Sequence, residues 1–491
     1  MQKESSLATR QTLVDRETEV QELRSLADAA GKRLGILYGR RQVGKTYLLR
    51  HAWGDRKVLY FLAADQTAEL NRADLVREMA DWSQGSYPSE DYPTWRTVFR
   101  ALVDLAANGP IVVIIDEFQY LLQDGNDVTS QLVAVWDLVP QATPITVLLS
   151  GSAISTMEHL ASGHEPLYGR INWSHQLVQF DYWDAARMMP GYDPRTAATL
   201  YGIFGGTPRY LAALDPSEDL VDGTIRTVIS PRGEVHLQMQ TLLEQIQGLR
   251  DIADYRSVLR VAAQKPNIAE IVARTGLDAM SVRRKLELLE MLQLVRREQN
   301  FEAGPKAPFR YKIADNAVRF WYQFIHPERS AHAAMSPTAF WNTRIAPFLD
   351  SYMGFVFEDL VREAYRRFHD AWNLPSAIDW SRWEGVDRDR QSIEVDIAAR
   401  LIDGRLLTGE IKWSSTPLGP SLHTDLLTKL ARLARSGYGW AKDTDEALFF
   451  YASAAGFTPE MVDLAARDHR IRLVSLTELY PAAIETRSSI P

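Results

Sequence analysis

The chain has 491 residues, too many for one hydrophobic core, which rarely grows beyond about 250–300 residues, so two or three domains are expected. Hydrophobic residues at 46% and charged residues at 24% are ordinary for a soluble globular protein, and the absence of cysteine excludes disulfides, thiolate metal sites and thiol nucleophiles. A formal net charge of -8 argues against a uniformly basic nucleic-acid binder, while leaving room for a local basic patch.

The first residues, MQKESSLATRQTLVDRE, contain no apolar core of a signal peptide, and apolar runs such as that near Ile111–Ile115 are far too short to span a bilayer. A cytoplasmic protein with no membrane partner is expected. From Leu13 to about Asp181, short apolar runs at Leu34–Tyr38, Val58–Leu62, Ile111–Ile115 and Ile145–Leu149 alternate with helical stretches such as Thr46–Ala52 and Trp95–Leu105. Runs of this kind suit strands covered on both faces, so an αβα sandwich around a parallel sheet is predicted over 10–181.

Between the first run and the helix after it stands Gly39-Arg40-Arg41-Gln42-Val43-Gly44-Lys45-Thr46, a G-x-x-x-x-G-K-[ST] pattern in the strand-to-helix setting that a phosphate loop requires. Successive backbone N–H groups and a helix N-terminus form an anion cradle there. Lys45 would add a cation at the β- and γ-phosphates, and Thr46 a hydroxyl ligand for Mg²⁺. The run Ile111–Ile115 ends in Asp116 and Glu117, the first suited to hold Mg²⁺ and the second to orient or deprotonate the attacking water. ATP and Mg²⁺ are therefore the expected cofactors.

Past Tyr182 the pattern is mostly helical to Thr227, broken at Gly205-Gly206-Thr207-Pro208, which reads as a helical lid over 182–235. Within 236–326, helices at Tyr255–Gln264, Ile268–Arg274 and Ser281–Leu292 precede two strands, Leu294–Glu298 and Phe309–Ile313, around Gly304-Pro305. That order predicts a winged-helix domain, with Arg283, Arg284 and Lys285 on the third helix and Arg296 and Arg297 on the ribbon as candidate contacts to DNA phosphates. Interleaved Glu287, Glu290 and Glu298 dilute that charge. The polar segment 327–337 reads as a linker to a further α/β region over 338–485.

That last region offers three pieces that fit one chemistry. Glu358 lies on an amphipathic helix, Asp396 on the strand Ser392–Ala399, and Glu410 and Lys412 on the strand Leu407–Trp413, with Asp403-Gly404 as a hairpin turn between the strands. Alternation along a strand puts Glu410 and Lys412 on one face, where Asp396 of the neighbouring strand would meet them. Such a group would bind divalent metal through its carboxylates, with Lys412 activating water or stabilising phosphoryl charge. A salt-bridged hairpin without activity is the alternative.

Taken together, Leu13-Val14-Asp15-Arg16-Glu17, the phosphate loop, Asp116-Glu117, Leu148–Ala153, Pro166–Arg170 and Gly205–Tyr210 resemble the archaeal-type ATPases of the STAND/AAA+ clan. The resemblance implies that Ser150 or Ser152 senses the γ-phosphate and that Arg170 serves as a finger or sensor cation. The C-terminal pieces resemble the PD-(D/E)xK nucleases, which implies metal ligation by Glu358, Asp396 and Glu410 and a catalytic Lys412. The expected function is a MgATP-hydrolysing switch acting on DNA through the winged helix and a nuclease-like domain. The alternative is a signalling or scaffold switch, or a transcriptional regulator, that recruits protein partners or further copies of itself.

Overall fold

The computed structural model describes residues 14–122, 127–163, 165–246, 248–304 and 306–481. Leu13 of the first quoted motif, Pro305 of the ribbon turn, the start of the 10–181 segment and the end of the 338–485 segment lie outside them. The chain divides into two compact units, Met1–Gln179 and Phe180–Pro491.

The first unit is built on five parallel strands: β1 Arg33–Tyr38, β2 Val58–Leu62, β3 Ile111–Asp116, β4 Ile145–Gly151 and β5 Trp173–Gln176, in the order β2-β3-β4-β1-β5. Alternate residues of each strand enter opposite cores, which is why the runs are apolar throughout. Ile111, Val113, Ile115, Val147 and Leu149 join the helices Ala68–Ser83, Trp95–Leu105 and Val128–Trp136 on one face, while Val112, Ile114 and Leu148 join Glu17–Asp28 and Lys45–His51 on the other. The sequence reading did not include β5, a short edge strand whose Trp-Ser-His-Gln is only partly buried and carries no apolar run.

The order matters for chemistry. Because β4 lies between β1 and β3, its last residue Gly151 and the following Ser152 emerge between the loop after β1 and the acids Asp116 and Glu117 at the end of β3. Ligands of open α/β sheets bind at this carboxyl edge.

The second unit begins with helices including Tyr182–Met188 and Pro194–Phe204. Helices Ile252–Ala262, Ile268–Thr275 and Ala279–Met291 follow, the latter two N-capped by Asn267 and Asp278 side chains. An antiparallel ribbon, β6 Val295–Glu298 and β7 Arg310–Ile313, completes the segment. The 327–337 segment is not a linker. It carries the helix Arg329–Ala334, and His332 bonds Ile229 O at 2.6 Å while stacking on His236.

The C-terminal sheet contains β8 Ala377–Val386, β9 Ser392–Leu401, β10 Leu406–Lys412, β11 Leu448–Ser453 and β12 Ile471–Ser475, in the order β12-β11-β10-β9-β8. Strands β10, β11 and β12 run parallel; β8, β9 and β10 are joined antiparallel. Leu426, Leu430, Leu433 and Met461 of the helices Ser421–Arg435 and Pro459–Arg467 pack in its core, and Phe301, from the loop of the ribbon, is buried in the same core against Trp440. On the long helix Ala346–Phe368, Tyr365 packs on Phe450 of β11. Among the described residues no helix is long and apolar enough to cross a membrane.

Candidate functional site

The phosphate loop connects β1 to the helix Lys45–His51, and Gly44 caps that helix at φ 97°, a left-handed conformation that favours glycine. Gln42 also has positive φ, 70°. Val43 is buried, and its carbonyl accepts from Arg16, whose guanidinium is itself buried and also donates to Val178 O at 2.6 Å. Arg16 thus braces the loop from beneath. Arg40 reaches Gln179 Oε1 at 3.3 Å, and Arg41 reaches the Tyr120 hydroxyl at 2.8 Å.

Lys45 is buried, with Nζ donating to Gly39 O at 2.8 Å and Arg40 O at 2.9 Å. Burial pushes its ammonium below the usual lysine range, against the pull of Glu117 and Asp116. Thr46 Oγ1 donates to Asp116 Oδ2 at 2.9 Å, so the two Mg²⁺ candidates converge from opposite sides of the cleft. Asp116 is fully buried and accepts two further bonds, from Tyr60 OH at 2.6 Å and from Glu117 N at 3.0 Å. The sequence reading did not include Tyr60. It sits on β2 beside β3, where its hydroxyl meets Asp116, and burial together with Asp116 raises its phenol pKa. A hydroxyl and a carboxylate within bonding distance form the hard oxygen set that suits Mg²⁺.

Glu117 accepts at Oε2 from Ser152 Oγ at 2.7 Å and from Gln119 Nε2. Ser150 is buried, and its Oγ finds no hydrogen-bond partner among the described residues. Arg170 lies elsewhere in its contacts: Nε and a terminal nitrogen each bond Asp137 at 2.7 Å, and another bonds Pro166 O at 2.8 Å.

In the second unit Asp396, Glu410 and Lys412 lie together. Lys412 Nζ lies 2.6 Å from both Asp396 Oδ2 and Glu410 Oε2, and Ile411 N donates to Asp396 Oδ2 at 2.9 Å. Burial alone would raise Asp396, but the Lys412 charge and these donors hold it below the usual carboxylate range. Burial and Asp396 push Glu410 up. Two residues given no role in the sequence reading complete the group. Lys429 donates to Glu410 Oε1 at 2.6 Å from the helix Ser421–Arg435. Glu394 joins Glu358 and Asp396 in a cluster whose carboxylate oxygens lie within 4.8 Å of one another.

Two residues apart on β9, Glu394 and Asp396 share a face of the strand, and a register shift lies beside them. Ser381 pairs with Ala398 and Trp383 with Val395, so two steps along β8 match three along β9. The extra residue re-aims side chains locally, as bulges do. Glu358 is also 3.4 Å from Arg382 and 3.7 Å from Lys312 of β7; burial nevertheless raises it to about 7.

The basic residues read as DNA contacts divide into two groups. Arg283 and Arg284 are exposed. Lys285 is buried, 3.2 Å from Asp254 and over the Tyr255 ring. Arg297 pairs with Glu290 at 2.8 Å. Arg296 bonds Glu298 at 2.8 Å and also Asp359, which accepts from Arg319 at 2.8 Å; Glu298 further accepts from Arg362 at 2.8 Å and lies 3.3 Å from Lys312. The bases of the ribbon are thus spent on intramolecular pairs.

Residues 13–214 match a family model described as an ATPase domain predominantly from Archaea, and residues 321–422 match one described as archaeal and bacterial proteins of unknown function. An uncharacterized protein of Methanocaldococcus jannaschii is 26% identical over 412 residues, covering 82% of this chain and 87% of its own length. The Walker-type ATPase of Pyrococcus abyssi is similar in structure at a TM-score of 0.49 and 22% identity, over 64% of this chain and 97% of its own. The ORC2 protein of Aeropyrum pernix, solved as ADPNP-ADP complexes, aligns at a TM-score of 0.42 and 14% identity, over 65% of this chain and 95% of its own.

Proposed function

We propose that the archaeal-type P-loop ATPase domain over residues 13–214 binds MgATP and hydrolyses it through Lys45, Thr46, Asp116 and Glu117. The observation that carries the reading is the 2.9 Å bond from Thr46 to a buried Asp116, beside a lysine folded into its own loop. Gly39–Thr46 would wrap the phosphates with main-chain N–H groups, and Lys45 would neutralise them. Mg²⁺, held by Thr46 and Asp116, would balance charge on the phosphate oxygens. Glu117 would take the proton of the attacking water, and Ser152 would contact the γ-phosphate. The finger role of Arg170 requires its pair with Asp137 to open, as an approaching triphosphate on a neighbouring copy would demand. Full-length protein should release phosphate from ATP, and Lys45→Ala should abolish this; normal ATP binding and turnover by the variant would refute the assignment.

For the second unit, the reading favoured is a PD-(D/E)xK-like domain, preceded by a winged helix, that cleaves DNA phosphodiesters with a divalent metal. Its support is the convergence of Asp396, Glu410 and Lys412 within 2.6 Å contacts, with Glu358 at the same cluster. The carboxylate oxygens of Glu358, Glu394 and Asp396 fit a hard cation such as Mg²⁺ or Mn²⁺, which would polarise the scissile phosphate. Lys412 would then lie beside the developing charge. Cleavage of plasmid or branched DNA with Mn²⁺ that disappears in Asp396→Ala would support it.

The alternative is an inactive C-terminal domain in a nucleotide-dependent switch that recruits protein partners. It is favoured by the engagement of both Glu410 oxygens by lysines and of the ribbon arginines by acids. No cleavage in any metal, with weak and salt-insensitive DNA binding, would favour it.

A further inference from the structure

None of the ATPase roles assigned so far uses Gln119, yet its surroundings are built around it. It lies two residues past Glu117 in the short helical turn Phe118–Leu122, with 3% exposure. Its Nε2 donates both to Glu117 Oε2 and to Ser152 Oγ, the latter at 3.2 Å. Its Oε1 is buried without a hydrogen-bond partner among the described residues, a condition that costs stability and is rarely kept without reason. Glu117 itself is held at φ 53°, uncommon for a residue with a side chain. The slot for Gln119 exists because residue 151 is glycine: a Cβ there would lie 2.4 Å from Gln119 Oε1 and 2.6 Å from Met157 Sδ.

Donor accounting gives these contacts a purpose. A serine hydroxyl has one proton to donate, so Ser152 cannot bond Glu117 and a γ-phosphate oxygen at once. A glutamine amide has two, and here one goes to each neighbour.

We propose that Gln119 is a positioning residue for ATP hydrolysis, holding the Glu117 carboxylate by Oε2 so that Oε1 meets the attacking water, and keeping that hold when Ser152 turns its proton to the γ-phosphate. The step it serves is balanced. The water oxygen bonds the γ-phosphorus, the bond to the β,γ-bridging oxygen breaks with its electron pair leaving on ADP, and the water proton passes to Glu117. The inference rests on the ATPase reading above.

The test uses the full-length chain with Gln119→Met, which keeps bulk but removes the donor, and Gly151→Ala, whose new methyl displaces the amide. Melting temperature, nucleotide affinity from a fluorescent ATP analogue, and phosphate release are measured together. Both variants should bind the analogue within about threefold of the parent and lose about 10- to 100-fold in kcat, the scale of a misplaced reacting group. Wild-type kcat in Gln119→Met would reduce Gln119 to packing and overturn the proposal. A loss of affinity that parallels the loss of kcat in both variants would also overturn it. Failure of the underlying ATPase reading has a separate signature, unimpaired turnover in Lys45→Ala.

Discussion

Removing Asp359 tests whether the charges between the ribbon and the C-terminal domain are a structural unit. Its carboxylate is 5% exposed and accepts from Arg296 and Arg319, with Arg362 at 4.0 Å. Around it stand four cations: Arg319 pairs with Asp359, while Arg296, Arg362 and Lys312 are shared with Glu298, and Lys312 also with Glu358. In Asp359→Ala the four cations remain and one central acid is gone. Breaking a buried pair from one side costs about 3–5 kcal/mol, because the surviving charge is left without compensation. In a unit of this size that corresponds to a fall in melting temperature on the order of 10 °C. Urea and thermal unfolding of the full chain, followed through tryptophan fluorescence, would measure it. A loss below about 1 kcal/mol would mean that water reaches the arginines and solvates them, and the argument for a dry network would fail. Replacing Asp359 and Arg319 together by apolar residues should cost less than the sum of the single changes, since the partners couple.

The same network sets an acid limit. Burial opposes ionisation of Glu298, but Arg296, Lys312 and Arg362 outweigh it and hold the group at about 2. Its folded value lies below the unfolded one, so its stabilisation is present above about pH 4.5 and drains as pH falls toward 2. Unfolding free energy should decline over that window, less steeply in Asp359→Ala, whose own depressed carboxyl contributes in the same direction. At the ATP site, Tyr60→Phe removes one of three donors to Asp116. A bond to a charged group is worth about 1.5–3 kcal/mol, so MgATP affinity should weaken by about tenfold or more; unchanged affinity would show that Asp116 needs no such help. For the basic helix, reversing the exposed Arg283 and Arg284 to Glu should weaken any DNA retention and flatten its salt slope, whereas Arg297→Glu should act only on stability through Glu290.

What could be read from the sequence was local. The strands Arg33–Tyr38, Val58–Leu62, Ile111–Asp116 and Ile145–Gly151 announced themselves as apolar runs, because a strand covered on both faces has no polar alternation to hide in. The phosphate loop and Asp116-Glu117 were legible because their spacing is contiguous. Contacts that depend on register or on distant helices were not. Lys429 reaches Glu410 across 19 residues of chain, and Glu394 meets Glu358 beside a bulge that no periodicity reports. Tyr60 reads as one aromatic in an apolar strand until β2 is known to pair with β3. The 327–337 segment misled through composition alone, since polar residues between prolines suit a linker as well as a short helix pinned by His332.

The placement of Phe301 bears on how this protein can be taken apart. Burying such a ring is worth about 3–5 kcal/mol against its removal, and the core that receives it, Trp440 included, is built from Trp383 onward. A fragment ending near residue 326 would therefore carry an orphaned aromatic on its surface and tend to self-associate, and the complementary fragment would inherit a hole in its core. Three helices, ribbon and sheet are better handled, expressed and evolved as one piece.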